Sequence, residues 1–169
     1  VDAFIRNIDR NNTNWGVLRN PRGEFSLAPV YGNGNSFNNK RTESGIERRL
    51  ANPDLIRQDA LDVCSCYVTD RGKPIAPLKY LASGQDEECT KALDRFMERY
   101  DPRSFHDLLD SIPSMSHGLT VVPDGFHEYH RRVCDYRYEH AFMEAWRELH
   151  PTVGFPSSPE ASVPEPLPD

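Results

Sequence analysis

Asn20-Pro21-Arg22-Gly23 fixes more of this chain's topology than any other four residues. Proline sets one φ and glycine accepts a positive one, while apolar-rich runs flank them at Trp15 to Arg19 and Glu24 to Val30. The stretch therefore predicts a β-hairpin. Antiparallel pairing brings the start of the first strand beside the end of the second. Asn14 and Gly32 are expected at the same open end, where directly opposed residues stand about 5 Å apart. Side chains meeting at such a place can share one ion.

The residues ahead of the hairpin carry the polar chemistry. Ile8-Asp9-Arg10-Asn11-Asn12-Thr13-Asn14-Trp15-Gly16 holds a carboxylate, Asp9, five positions before a carboxamide, Asn14. That offset is the one at which a phosphoryl-transfer loop presents a base and a metal-binding amide. Such chemistry rests on positioning and charge stabilisation, so one carboxylate to orient the nucleophile and a few hard oxygen ligands suffice. A plainer reading stands beside it, in which Asp9 caps a turn and the asparagines hold a loop through local hydrogen bonds. Context favours the first. A helical pattern leads into the motif, the hairpin follows at once, and the chain returns to the glycine-flanked Tyr31-Gly32-Asn33-Gly34.

Elsewhere the pattern is mainly helical. Val1, Phe4, Ile5 and Ile8 have helical spacing with no capping residue before them, so the chain is expected to start inside an element whose upstream part lies elsewhere. Asn33 to Asn52 is polar, with apolar spacing only at Ile46 and Leu50, and is expected to be a mobile surface segment. Asn52-Pro53-Asp54 caps a helix running to about Val63. Cys64 to Thr69, an Asp70-Arg71-Gly72-Lys73 turn and Pro74 to Ala76 suggest a second small hairpin, held at an edge by Pro74 and Pro77. Amphipathic helices are predicted over Gln85 to Tyr100 and over Ser104 to Ile112, the latter ended by Pro113. A long helix follows from Asp124 to Leu149, its Tyr129, Tyr136 and Trp146 stripe facing a core. Pro151 to Asp169, rich in Pro, Ser and Glu, is expected to be disordered.

Composition narrows the partners. A formal net charge of -6 and a pI near 5.5 argue against broad affinity for nucleic acid or anionic membrane, both of which need a positive footprint. No apolar run is long enough to span a bilayer and no leader of the secretory type is present, so the chain reads as cytoplasmic. Cys64-x-Cys66 lacks the paired CxxC knuckles of a zinc site, and the cysteines read as free thiols. His127-x-x-His130 has one residue fewer between its histidines than the zincin motif.

The Asp9 to Gly16 motif, together with Leu27-Ala28-Pro29-Val30-Tyr31-Gly32-Asn33-Gly34-Asn35-Ser36-Phe37, resembles the C-terminal catalytic part of the HipA-like serine/threonine kinases. Ser65-Cys66-Tyr67 through Gly72-Lys73 and the helices after it are similar to that family's all-helical lobe. The resemblance implies a mainly α fold with small β-hairpins, a protein-kinase-like C-lobe over residues 1–150 followed by a tail at 151–169, with the N-lobe absent. It implies Asp9 as the catalytic base and Asn14 as a metal ligand, with Asn14, Gly32, Asn33 and Gly34 at the nucleotide and metal site. The family's second motif usually reads Pro-x-Tyr-Asp-x-Gly, its aspartate being the main magnesium ligand. Here Gly32 stands in that place, and the nearest downstream acid is Glu43.

The implied reaction is transfer of the ATP γ-phosphoryl group to a serine or threonine hydroxyl, using Mg2+. Glycine offers an ion no side-chain oxygen. The sequence also holds no phosphate-cradling glycine loop and no strand lysine for nucleotide phosphates. Weak or absent ATP and magnesium binding is therefore expected, and this chain alone is expected to be inactive. The alternative is a pseudokinase, a catalytically dead module that engages a protein partner such as an antitoxin-like regulator. Thr42 and Ser44, in the Asn38 to Arg49 segment, are candidate phosphoacceptors.

Overall fold

The computed structural model describes residues 1–11, 13–63 and 67–151. The readings made for Asn12, for the Cys64-x-Cys66 pair and for residues 152–169 lie outside the described residues. The architecture is mainly helical with two small antiparallel sheets.

A short helix α1 (Asp2–Ile5) leads to a two-stranded hairpin, β1 (Val17–Arg19) and β2 (Phe25–Leu27). Its register pairs Val17 with Leu27 and Arg19 with Phe25. Helices α2 (Glu43–Leu50), α3 (Pro53–Leu61), α4 (Pro77–Ala82), α5 (Glu87–Arg99) and α6 (Pro102–Asp110) follow. A second hairpin, β3 (Met115–Ser116) and β4 (Leu119–Thr120), precedes α7 (Phe126–Arg137). One π-helical stretch, Tyr138–Phe142, joins α7 to α8 (Met143–Leu149), so the long predicted helix is continuous but locally widened.

Side-chain caps set most of these starts. Asn52 accepts from Asp54 N, Asp86 from Cys89 N, and Asp101 from Arg103 N and Ser104 N. Each satisfies a helical N–H that has no partner inside its own helix. Pro53, Pro77 and Pro102 sit in first turns, where a missing N–H costs nothing.

Four expectations need correction. The first helix stops at Ile5 instead of reaching Ile8, because Arg6 takes a left-handed conformation (φ 53). Asn33 to Asn52 is not a mobile segment throughout. Thr42 caps α2, and Ile46 on that helix is only 2% exposed. The second predicted hairpin is reduced to a single bridge, Val68 to Pro74, turning at Gly72 with φ 73. Pro77 opens α4 rather than extending that hairpin.

The core has two parts joined by α7. One is aromatic and centres on Phe4, whose ring lies 5.0 Å from Phe96, 4.7 Å from Tyr100 and 5.4 Å from Phe142. The other packs Ile46, Ile56 and Ala60 against Tyr129 and Val133. Phe4 thus anchors α1, and with it the polar loop that begins a few residues later.

Candidate active site

The loop carrying Asp9 is built from side chain to backbone hydrogen bonds. Asn7, 2% exposed, accepts from Asp9 N at 3.0 Å. Asn11 Oδ1 accepts from Thr13 N at 2.9 Å. These are the local Asx turns that asparagine favours, so the plainer sequence reading describes real contacts. They also leave the Asp9 carboxylate exposed and held from two sides, with Oδ1 3.1 Å from Asn11 Nδ2 and Oδ2 2.9 Å from Asn35 Nδ2. An exposed carboxylate is an acceptor, and two amides fix where its lone pairs point.

The hairpin then closes on this loop. Beyond the strands, Ala28 N donates to Gly16 O at 2.9 Å and Tyr31 OH donates to Trp15 O at 2.8 Å. This zipping returns Gly32 to Asn14, as the turn chemistry predicts. Asn14 Nδ2 donates to the Asp9 carbonyl at 2.5 Å. Gly32 has φ 70, and a Cβ built on it would lie 2.6 Å from Asn14 Cγ. The two positions are in direct contact.

One residue the sequence reading passed over holds these pieces together. Arg10 makes a bidentate pair with Asp2, Nε to Oδ2 at 2.9 Å and Nη2 to Oδ1 at 2.7 Å. Its Nη1 donates to Asn14 O at 2.8 Å and to Tyr31 O, and Nη2 donates to Asn33 Oδ1 at 2.7 Å. The guanidinium fork therefore links α1, the Asp9 loop and both flanks of Gly32. Burial pushes the Asp2 carboxyl up, but hydrogen bonds from Arg10 and Tyr67, with the Arg10 charge, outweigh it and hold it below the usual carboxylate value. The available signal was Arg10 itself, the one cation in a loop otherwise of asparagines, threonine and aspartate.

The predicted site residues do not all face one way. Asn14 touches Gly32 and donates to the Asp9 carbonyl, while the Asp9 carboxylate turns to Asn11 and Asn35. Asn33 turns to Arg10 and Asn7, with its Oδ1 3.4 Å from Asn7 Nδ2. Gly34 has open space where a Cβ would project, and its carbonyl accepts from Asn39. Asn35 was missed, yet it touches the Asp9 carboxylate.

The donor set does not fit a magnesium ion. Gly32 contributes no oxygen and the space beside it is filled by Asn14, whose Nδ2 donates to the Asp9 carbonyl, so Asn14 Oδ1 is the one oxygen left of the two ligands that the resemblance implies. No group of three or more His, Cys, Asp or Glu is arranged to hold a metal among the described residues. Cys89 and Cys134 are free thiols, and burial pushes the Cys134 thiol up to about 12. No described helix is long and apolar enough to cross a membrane.

The hairpin beside the site presents an apolar face to solvent. Val17, Phe25 and Leu27 share one side by register, and each is more than half exposed, Leu27 at 75%. Trp15, at the base of the first strand, is exposed as well.

No family model matches this chain. Serine/threonine-protein kinase CtkA of Helicobacter pylori is 28% identical over 118 residues, which is 69% of this chain and 36% of that protein. A crystal structure of a Helicobacter pylori proinflammatory kinase CtkA matches with a TM-score of 0.75 at 25% identity, covering 90% of this chain and 51% of that one. The chain is thus similar to a serine/threonine kinase in sequence and in fold. It spans about a third of the length of the curated relative and about half of the solved chain.

Proposed function

We propose that this chain is the C-lobe of a HipA-like serine/threonine kinase, residues 1–150, with its catalytic loop kept and its metal position lost. The observation that carries the reading is the oriented Asp9 carboxylate standing on the same loop whose Asn14 meets Gly32. In the parent reaction a serine or threonine hydroxyl attacks the γ-phosphorus of ATP as the bond to the β–γ bridging oxygen breaks, releasing ADP. Asp9 orients that hydroxyl and accepts its proton. Asn14 and Arg10 position the loop. Similarity to a serine/threonine kinase supports this reading, and so does the exposed hairpin face, which is what a second, nucleotide-holding lobe would cover. That lobe would come from residues outside these 169.

One observation favours a second reading. Asn14 occupies the room that a metal-binding side chain at position 32 would need, as in a pseudokinase that binds a protein partner, an antitoxin-like regulator for example, without phosphorylating it. Both readings place the protein in the cytoplasm.

Labelled ATP and a generic protein substrate separate them. The chain by itself is expected to transfer phosphate far more slowly than the roughly 1–100 per second typical of kinases. Gly32→Asp in a chain that also carries an N-lobe is expected to restore transfer, and Asp9→Asn in that background to abolish it. Continued silence of the Gly32→Asp chain would favour the binding module, and fast transfer by the unaltered chain would refute the loss of the metal position.

A further inference from the structure

Charge is distributed unevenly around Asp9. An open cleft of about 270 Å³ lies between the turn that ends α1 and the loop that precedes α2. Arg6, Lys40 and Arg41 line it together with the amides of Asn35, Asn38 and Asn39, and Ile8 completes the wall. Among the described residues no carboxylate lines the cleft, although the chain carries a formal net charge of -6. Asn35 connects it to the candidate site, because the same side chain donates to Asp9 Oδ2 at 2.9 Å.

The walls are fixed by the fold. Arg41 donates to Asp59 at 2.6 Å and to the buried Tyr129 hydroxyl at 3.0 Å. Asp59 also takes Arg49 at 2.5 Å, so two guanidinium groups share one carboxylate and positive charge is in excess behind the cleft. Asn38 is anchored on the Tyr129 hydroxyl at 3.0 Å, and the Phe37 carbonyl on His130 Nε2 at 2.6 Å. Phe37 and Asn38 both hold positive φ, 57 and 54, which this anchoring maintains. Lys40 is exposed, and no carboxylate among the described residues pairs with it.

We infer that this cleft binds an anionic side chain, carboxylate or phosphate, of the polypeptide whose serine or threonine faces Asp9. An extended chain advances about 3.3–3.6 Å per residue, so the anion belongs within a few residues of the acceptor. The polypeptide's role rests on the kinase-lobe reading, whereas anion capture by the cleft does not. Nucleic acid is the poorer occupant, because a backbone-tracking surface needs an extended basic stripe and stacking aromatics, and this cleft is a compact pocket without an aromatic in its lining.

The test measures binding, by fluorescence anisotropy, of short labelled peptides to the full chain. Each has a central serine flanked by glutamate, phosphoserine, glutamine or lysine. Either anionic peptide is expected to bind about fivefold or more tighter than the glutamine peptide, and to lose that advantage as ionic strength rises toward about 1 M. Inorganic phosphate is expected to compete. Lys40→Glu removes the selectivity and Lys40→Arg keeps it. Lys79→Glu, the same charge change on the exposed face of α4, also keeps it. Tight binding of only one anionic peptide identifies carboxylate or phosphate as the recognised group and supports the proposal. Equal binding of the glutamine and both anionic peptides overturns it, as does an equal loss in Lys79→Glu. Transfer from ATP is read separately, in the Gly32→Asp chain that also carries an N-lobe: anion selectivity with no transfer by that chain counts against the kinase reading alone, and transfer by it without anion selectivity counts against the cleft alone.

Discussion

The carboxamide of Asn14 fills the space into which a side chain on Gly32 would project, an ideal Cβ there lying 2.6 Å from its Cγ and 2.8 Å from its Oδ1. Separations this short do not survive in a folded protein, so one of the two residues must give way to any larger group at position 32. Gly32 also has φ 70, where an L side chain is strained. Loss of the expected metal carboxylate and packing of the asparagine are thus two sides of one arrangement.

Gly32→Ala is expected to destabilise the chain by about 2–3 kcal/mol, roughly 1 from the left-handed backbone and the rest from overpacking. Asn14→Gly opens the space, because it removes the Asn14 Cβ, 2.9 Å from the Cβ built on Gly32, along with Cγ and Oδ1, so in that background the same substitution is expected to cost only about 1 kcal/mol. The coupling, about 1–2 kcal/mol, is read from urea unfolding of the four proteins in the cycle. Equal costs in both backgrounds would show that Asn14 does not pack on Gly32.

Gly32→Asp tests the metal position directly. Aspartate tolerates positive φ better than most residues, and its carboxylate would displace the Asn14 amide toward solvent. Without metal the variant is expected to melt several degrees below the unaltered chain. Magnesium at about ten times its dissociation constant adds roughly 1.4 kcal/mol of linkage, a rise of about 3 °C in a chain of this size. The unaltered chain is expected to show no such rise, and a magnesium-dependent melting shift in it would overturn the reading of the donor set.

Arg10→Lys keeps the charge but not the fork. A single ammonium cannot reach the Asp2 carboxylate, the Asn14 and Tyr31 carbonyls and the Asn33 amide together, as Arg10 does. Arg10→Ala leaves Asp2 without its cation, and a loss of about 3–5 kcal/mol is expected. Arg10→Lys should fall between that and the unaltered chain. Amide exchange at Asn14 and Asn33 should accelerate in both variants before the helices open, and a uniform acceleration across all helices would sink the stapling role.

Local chemistry was legible and long-range polar packing was not. The Pro21-Arg22-Gly23 turn and the cap at Asn52 are set within a few residues, so turn and capping rules reach them. The caps at Asp86 and Asp101 are as local but were passed over, and α6 was expected from Ser104 although it starts at Pro102. The contact between Asn14 and Gly32 follows from hairpin geometry alone. Arg137 is the opposite case. In the sequence it is one more cation on a helix, yet it is 1% exposed and donates to the carbonyls of Ala60 at 2.7 Å, Asp59 at 2.8 Å and Phe4 at 2.5 Å. Those carbonyls terminate α3 and α1, and nothing near Arg137 in sequence announces them. Helix α2 escaped for a related reason. Its anchor beyond Ile46 is Arg49 on Asp59, an ion pair that hydrophobic periodicity cannot register.

His130 gives the fold a pH dependence whose sign can be worked out. Its ring is 3% exposed, with Nε2 2.6 Å from the Phe37 carbonyl and Nδ1 2.9 Å from the Phe126 carbonyl. Burial lowers its pKa, and repulsion from Arg137 and His127 adds to this. The two carbonyls oppose it, and the net shift is downward from 6.5. The folded chain therefore resists a proton that the unfolded chain accepts. Stability is complete above about pH 6.5 and is lost as pH falls through that value toward the depressed folded pKa, by at most about 1.4 kcal/mol per pH unit. The depressed pKa of Asp2 acts only below 3.8, so the two windows separate. His130→Gln keeps a donor for the Phe37 carbonyl and removes the titration. Urea unfolding at about pH 7.5 and about pH 5.5 should show the unaltered chain losing more stability than the variant over that interval. An identical loss would mean that His130 does not fold as a neutral ring. Because Phe37 N also donates to the Ile5 carbonyl at 2.8 Å, the segment weakened by acid is the one that joins α1 to the wall beside Asp9.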